Sequence, residues 1–164
     1  IRAVAELNKT QLICQLTIFG DGGLRNSLSQ LIEDLGQQKN INLTGFVADA
    51  QQYFHQYQLI IMPSLTEGVP VTLLEAMRNK IPIIASTVGG IPEVLGINSE
   101  LLIHPASVSE IVSKVGGWFS KDIAHKQQLA NENYKRFVNE FSAEKMAYNY
   151  ANLYQKIALP GGKE

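Results

Sequence analysis

Two glutamates flank a turn that follows an apolar run. The run Ile60–Met62 predicts a buried strand, Glu67 lies in the turn after it, and Glu75 lies in the next segment. That segment has helical apolar spacing, and helical side chains lean toward the helix N-terminus, so Glu75 leans back toward the turn. An ionised carboxylate only accepts hydrogen bonds and can accept two from a vicinal diol. The pair therefore suits a ligand that carries hydroxyl groups.

The helix between the two acids is predicted to open at or near Pro70. Proline is favoured at the first helical position because its missing N–H would be unpaired there and its φ already suits a helix. Gly68, just before it, lets another molecule approach the backbone closely. A strand, a tight turn and a bare helix N-terminus form an anion site. A ligand that places phosphate at the helix end and hydroxyl groups at the two acids would be a nucleotide-sugar.

These residues resemble the signature of a known family. The pattern Glu67-x7-Glu75, with Pro63-Ser64 before it and Gly68-x-Pro70 inside it, resembles the E-x7-E motif of retaining glycosyltransferases of the GT-B fold, in the large family 4, or group 1. The resemblance runs from the first helix to the last, and its specific part is this motif. It implies the C-terminal, donor-binding half of such an enzyme. The alternative is an ordinary strand-to-helix turn with two solvated acids, since short motifs give false positives.

The resemblance implies transfer of a sugar, as in hexosyltransferases, from a nucleotide-diphosphate sugar to an acceptor hydroxyl, with retention of configuration and without a metal or cofactor. Glu67 would be the catalytic residue, holding the donor sugar's hydroxyls and positioning its anomeric carbon. Glu75 would hold the ribose hydroxyls. Backbone N–H groups would bind the diphosphate, stabilising its developing charge. The donor-binding stretch would comprise Gly68, Val69, Pro70, Val71 and Thr72.

Three further segments carry donor-site candidates. Gly20-x-Gly22 lacks the third glycine of the dinucleotide fingerprint, because position 25 is arginine. The preferred interpretation is therefore a simple turn, and a ligand-facing loop is the second interpretation. Gly45–Val47 resembles the family's base-holding loop, with main-chain groups near Val47 at the base edge; a strand end with a turn glycine is the alternative. Gly89 and Gly90 resemble the glycine turn beside the donor diphosphate, although two glycines at a helix start also have a structural use.

Composition excludes several classes of protein. The chain has 164 residues, 45% hydrophobic and 18% charged, which fits one soluble domain with a real core. Its net charge of -1 gives no basic excess, so we expect no nucleic-acid partner. The single cysteine, Cys14, excludes an internal disulfide, sits in a strand-like stretch as a small hydrophobe, and fits a cytoplasmic protein. The three histidines show no ligand spacing, so we expect no metal site.

The wider pattern alternates strands with helices. This predicts an α/β fold: a Rossmann-like parallel sheet with helices on both faces, which the resemblance makes one half of a GT-B architecture. The three glycine-bearing turns each follow a strand and should share one edge. Strands are predicted over Leu12–Phe19, Ile41–Val47, Leu59–Met62, Lys80–Ser86 and Glu100–Ile103. The buried stripe of the last helix is predicted to be Met146, Tyr150, Leu153, Tyr154 and Ile157; for the two tyrosines the alternative is a surface for a missing partner.

The chain begins as if in mid-helix, so we expect a piece of a longer protein. The resemblance implies that an N-terminal acceptor domain and the first strand are absent, together with the Arg and Lys that clamp the diphosphate; Arg2 falls after those positions. The expected partners are a nucleotide-diphosphate sugar, the protein's own N-terminal domain, and an acceptor glycan or lipid-linked sugar. The expected pathway is polysaccharide synthesis, of lipopolysaccharide or capsule. The expected location is the cytoplasm or the inner face of the membrane, with membrane contact through the missing half.

Two alternatives to a transferase stay open at this point. A nucleotide-sugar epimerase on the same two-domain architecture would use its acids for proton chemistry. A non-catalytic nucleotide-binding or partner-binding module would use its acids neither for proton chemistry nor for positioning a donor sugar. Product analysis separates the first from a transferase, and activity that survives Glu67→Ala or Glu75→Gln would favour the second.

Overall fold

The computed structural model describes residues 1–97 and 99–158. The strands are β1 (Leu16–Phe19), β2 (Ile41–Gly45), β3 (Ile60–Met62), β4 (Ile83–Ser86) and β5 (Leu102–Ile103). The helices are α1 (Arg2–Leu7), α2 (Arg25–Asp34), α3 (Val71–Arg78), α4 (Ile91–Leu95), α5 (Val108–Ser120), α6 (Ile123–Arg136) and α7 (Ala143–Ala158). A 3₁₀ helix covers Ala50–Gln56, and a π-helical turn covers Phe137–Phe141.

All strand pairs are parallel, and the strands lie in two groups. β1 pairs with β2, with Ile18 opposite Leu43, while the other three strands run in the order β3-β4-β5. The α/β, Rossmann-like class predicted from the sequence is confirmed. The single continuous sheet is present as two pieces within the described residues, and each strand is shorter than predicted because pairing ends before the apolar runs do.

Helices cover both faces of the sheet around β4. Ile83 and Ala85 pack with residues of α3 and α4 on one face, and Ile84 packs with Leu7 of α1 and with α5 on the other. All four residues of β4 are buried, as expected for a strand that is paired on both edges and covered on both faces. This layer arrangement packs α3 against the sheet.

The inward face of α3 matches its apolar spacing. Leu73 and Met77 are completely buried in the cluster against β4, and Leu74 is half-buried. These side chains lie one helical turn apart and so face the same surface. They fix which way the opposite, solvent-facing side of the helix start points.

The predicted buried stripe of α7 is wrong. Ser142 caps this helix by accepting from the N–H of Lys145, and α7 packs mainly against the preceding π-helical turn. An apolar stripe shows that a helix has a face to bury, but it does not identify the surface that buries it. The stripe residues are exposed: Met146 56%, Tyr150 52%, Leu153 48%, Tyr154 64% and Ile157 66%.

Two smaller features complete the fold. Cys14 lies in the loop before β1 rather than in a strand; it is half-buried, and burial raises the pKa of its thiol. Among the helices of the described residues, none is long and apolar enough to cross a membrane.

Candidate functional site

The acid of the first turn is held by the end of its own strand. Ser64 follows β3 directly after Pro63, and its hydroxyl donates to Oε1 of Glu67 at 2.7 Å. Glu67 is half-buried, and its Oε2 takes part in no hydrogen bond with the described residues. One carboxylate oxygen is thus tied to the scaffold, and the other can accept from a ligand.

The N-terminus of α3 is open. Pro70 occupies the N-cap position with extended backbone, φ −72° and ψ 126°, and no side chain caps the helix. Within residues 1–97 and 99–158, no acceptor takes the N–H groups of Val71 or Thr72. Val71 is 66% exposed, so solvent reaches this end. Unpaired N–H groups and the positive dipole end together favour a bound anion.

The glycine turn after β4 packs directly against the Glu67 turn. The N–H of Gly90 donates to the carbonyl of Gly68 at 2.7 Å. A Cβ on Gly89 would lie 2.0 Å from the carbonyl oxygen of Glu67, and one on Gly90 would lie 2.7 Å from Cγ2 of Val69. Gly89 also has φ +52°, which favours glycine. This packing gives both glycines the structural use left open above, and it sets the position of the Glu67 peptide.

A second pair of turns forms on the other piece of the sheet. The N–H of Gly20 donates to the carbonyl of Gly45 at 2.8 Å, and the two residues form an isolated bridge. Arg25 supports the same place, because its guanidinium donates to the carbonyl of Leu43 at 3.1 Å and lies 3.9 Å from Asp21. The arginine that breaks the glycine fingerprint therefore helps to hold the loop.

The ligand-facing candidates of this second pair differ in exposure. Gly22 is exposed, and a Cβ there would meet no atom within 4 Å. Val47 is half-buried, whereas Phe46 beside it is 81% exposed. Space beside Gly22 leaves room for a ligand to approach the backbone after β1.

Hydrogen bonds and close contacts connect the predicted site residues within two sets of turns. Glu67, Gly68 and Val69 contact the Gly89–Gly90 turn, and Gly20 contacts the Gly45 loop that leads to Val47. In the part of the chain that the structure describes, no hydrogen bond joins the two groups. The pieces meet elsewhere, where Phe19 packs on the rings of Tyr53 at 6.4 Å and Tyr57 at 5.7 Å.

Glu75 lies at the second turn of α3. It is half-buried, and its carboxylate makes no hydrogen bond or ion pair with the described residues. Its main-chain carbonyl accepts from Asn79, so only the backbone of Glu75 is used by the fold. The side chain is available to a ligand hydroxyl.

The structure adds Ser64 to the candidate site residues. Ser64 had no role beyond its place in the motif, but its hydroxyl orients Glu67. The available signal was its place in the motif, three residues before Glu67. Among the described residues, no group of three His, Cys, Asp or Glu side chains could hold a metal ion. The imidazoles of His104 and His125 are occupied by Glu110 and Glu100.

The chain matches a known protein family and several known proteins. A family model described as "Glycosyl transferases group 1" matches residues 1–120. The putative teichuronic acid biosynthesis glycosyltransferase TuaC of Bacillus subtilis is 29% identical over 140 residues, which cover 84% of this chain and 34% of the relative. The chain spans about a third of the length of the curated relatives it matches.

Solved structures share the fold. The C-terminal domain of the Francisella tularensis group 1 protein LpcC superposes with a TM-score of 0.72 at 24% identity, covering 86% of this chain and 76% of that one. Anabaena HepE in complex with UDP superposes with a TM-score of 0.82 at 19% identity, covering 94% of this chain and 44% of that one. At these identities the likeness establishes the architecture alone.

Proposed function

The chain belongs to the group 1 glycosyltransferases, and from that premise we propose that it is the donor-binding half of a retaining enzyme. Such an enzyme moves a sugar from a nucleotide-diphosphate sugar to an acceptor hydroxyl. The observation that carries the proposal is the pairing of an open helix end with a tethered acid: the free N–H groups of Val71 and Thr72 lie beside a turn in which Glu67 keeps one carboxylate oxygen unpaired.

The helix end is suited to the leaving group. As the bond from the anomeric carbon to the diphosphate breaks, negative charge grows on the phosphate oxygens. The N–H groups of Val71 and Thr72 are already oriented and need no reorganisation to stabilise that charge. The hydroxyl of Thr72 adds a donor. In this proposal the backbone N–H groups stabilise the negative charge on the phosphate, and no resident cofactor is required.

The two acids are suited to the hydroxyl groups on either side of the diphosphate. In our proposal Glu67 accepts from the donor sugar through its free oxygen and so positions the anomeric carbon. Glu75, half-buried and otherwise unpaired, accepts from the ribose. The backbone near exposed Gly22 and half-buried Val47 takes the base, and Gly89 and Gly90 back the diphosphate turn.

The names of similar proteins support the substrate class. HepE was solved with UDP, a nucleoside diphosphate of the kind such a donor releases. The Bacillus relative is named for teichuronic acid biosynthesis, so a cell-envelope polysaccharide is the acceptor class we propose. The acceptor, whether a glycan or a lipid-linked sugar, would bind the upstream half of the protein, which would also make any contact with the inner face of the membrane.

The test uses the full-length protein with UDP, GDP and ADP sugars. Glu67→Gln and Glu75→Gln preserve size and remove the charge. Glu93→Gln is the matched control, because Glu93 is exposed at the start of α4 and only its backbone is used, by Arg136. We expect Glu67→Gln to lower kcat/KM by about 100-fold or more, the scale seen when one oriented electrostatic group is lost.

Two results would overturn the proposal. One is full activity in both site variants, which would favour a non-catalytic role for this half. The other is an epimerised nucleotide-sugar without a new glycosidic bond, which would identify an epimerase. Glu93→Gln should retain the activity of the unsubstituted protein.

A further inference from the structure

The C-terminal end of α4 is capped by an arginine from a distant helix. Arg136, the last residue of α6, donates from Nε to the carbonyl of Val94 at 2.8 Å and from Nη2 to the carbonyl of Glu93 at 2.8 Å. The last carbonyls of a helix have no partner within it, and α4 has only five residues. A cation at this end also complements the helix dipole. One guanidinium therefore stabilises a helix that is too short to be stable by its own hydrogen bonds.

The side chain of Arg136 is itself held in place. Its Nη2 lies 3.2 Å from Oε2 of Glu140, and the side chain is half-buried. The residues that follow form the π-helical turn, whose Phe137 and Phe141 pack against the buried cluster that α3 and α4 share. The position of the guanidinium is therefore fixed both by its carboxylate partner and by the packing of the backbone that carries it.

Hydrogen bonds run from this cap to the candidate site. Val94, whose carbonyl accepts from Arg136, donates its N–H to the carbonyl of Gly90 at 3.0 Å. Gly90 in turn donates its N–H to the carbonyl of Gly68 at 2.7 Å. The five residues of α4 span about 7.5 Å along the helix axis. Arg136 therefore lies one short helix away from the turn that carries Glu67.

The turn at the other end of α4 cannot move independently of its neighbour. A Cβ on Gly89 would lie 2.0 Å from the carbonyl oxygen of Glu67, so the backbones of the two turns are already in contact. Ile91 and Val94 of α4 are almost completely buried in the cluster beneath them. Close-packed interiors transmit displacement. A shift of α4 would therefore displace the peptide of Glu67.

We propose that Arg136 is a positioning residue for the donor site. By fixing the C-terminal end of α4 it fixes the Gly89–Gly90 turn, and with that turn the position of Glu67 and Gly68. In this role it touches neither donor nor acceptor. Arginine suits the role because its planar fork reaches two carbonyls at once, whereas the ammonium of lysine is a single point charge. The consequence for catalysis rests on the proposed function, whereas the consequence for the turn does not.

The first experiment follows the turn by residue-resolved hydrogen exchange on the full-length protein without any nucleotide. Arg136→Met keeps an unbranched side chain and removes every donor. We expect the amide of Gly90, which bonds to Gly68, to exchange at least about 10-fold faster in this variant, because local opening sets its protection. The buried amide of Ala85, which bonds to Leu101 in the sheet, is the internal control and should change much less. Equal changes at the two amides, including no change at either, would overturn the proposal.

The second experiment measures sugar transfer by the same proteins below their unfolding temperatures. A misplacement of about 1 Å caused far from the chemistry can cost about 100-fold in rate, so we expect Arg136→Met to lower kcat/KM by about 10-fold to 100-fold. Arg136→Lys should restore part of the loss, because it keeps the charge and one donor at the helix end. Lys135→Met is the matched control, since Lys135 is exposed in the same last turn of α6, and it should keep the activity of the unsubstituted protein.

A double-mutant cycle with Glu67→Gln separates positioning from a general loss of stability. If Arg136 acts through the acid, Arg136→Met should cost less in the Glu67→Gln background than alone. Unchanged kcat/KM in folded Arg136→Met, or an equal cost in both backgrounds, would overturn the proposal and leave the proposed function intact. Full activity of Glu67→Gln would instead count against the proposed function, and the exchange rate of Gly90 would still decide whether Arg136 fixes the turn. If Arg136→Met does not fold, Arg136→Lys takes its place under the same criteria.

Discussion

The hydroxyl of Ser64 donates to Oε1 of Glu67 at 2.7 Å, and Oε2 of the same carboxylate is left unpaired by the described residues. The end of a strand thereby fixes the rotamer of an acid in the turn beyond it. A side chain held in one rotamer loses less conformational entropy when it binds a ligand. The relationship makes Ser64 a positioning residue for the acid.

Removing the hydroxyl of Ser64 should therefore weaken the function of Glu67. For Ser64→Ala we expect kcat/KM to fall by about 10-fold to 100-fold, since a hydrogen bond to a charged group contributes about 1.5–3 kcal/mol. Thr66→Ala, an exposed change in the same turn, is the control and should have no effect. The decisive measurement is a double-mutant cycle: if Ser64→Ala costs as much in a Glu67→Gln background as alone, the serine does not act through the acid.

Replacing Gly89 should distort the turn that carries Glu67. The new Cβ would lie 2.0 Å from the carbonyl oxygen of Glu67, and φ of +52° is unfavourable for alanine. We expect Gly89→Ala to destabilise the protein by about 1–3 kcal/mol and to reduce donor binding. Gly116→Ala is the control, because its Cβ would meet nothing within 4 Å and alanine favours a helix. Equal thermal stability of the two variants would contradict the close approach.

Truncating a side chain in the core beneath the site should lower the free energy of unfolding far more than truncating one on the surface. Leu73 is fully buried against the sheet, whereas Leu24 is 70% exposed at the start of α2. Leu73→Ala should cost about 2–5 kcal/mol of unfolding free energy, and Leu24→Ala should cost under about 0.5 kcal/mol. Denaturant unfolding of the full-length protein measures both. A small effect at Leu73 would contradict the packing of α3.

The sequence predicts a structural feature well when the interactions that form it are local in the chain, and poorly when they join distant segments. The inward face of α3 follows from spacing within the helix, so Leu73 and Met77 were predicted correctly. The stripe of α7 depends on which surface meets it, and Tyr154 is exposed. The fit of Gly89 against Glu67 depends on two turns far apart in sequence. Patterns predict what a segment can bury, whereas contacts between segments come only from the fold.

Replacing Glu100 should change how the free energy of unfolding falls as the pH is lowered. Its hydrogen bond with Nε2 of His125 at 2.7 Å, aided by Lys121 at 2.9 Å, holds the pKa of Glu100 below its ordinary value. A depressed carboxyl pKa contributes stability above the unfolded-state pKa of about 4.3, and this contribution is lost as pH falls through the folded value. Glu100→Gln should therefore narrow the stability difference between about pH 6 and pH 3. Identical pH profiles for the two proteins would show that the contact contributes nothing.

The last prediction isolates a single backbone donor at the start of α3. Val71→Pro removes the N–H of the first helical residue, where proline is tolerated because that N–H has no partner within the helix. The residue before a proline must be extended, and Pro70 already has ψ 126°. The variant should therefore fold normally while losing one donor to the diphosphate.

For Val71→Pro we expect the affinity of the full-length protein for UDP or its matching nucleoside diphosphate to fall by about 10-fold to 100-fold, the scale of one charge-assisted hydrogen bond. Val71→Ala is the matched control, since it shortens the same exposed side chain and keeps the N–H. Calorimetry gives the two affinities, and circular dichroism checks that the helix content is unchanged. If both variants bind equally well while remaining folded, the diphosphate does not rest on this helix end, because the only difference between them at that position is the amide and its ring.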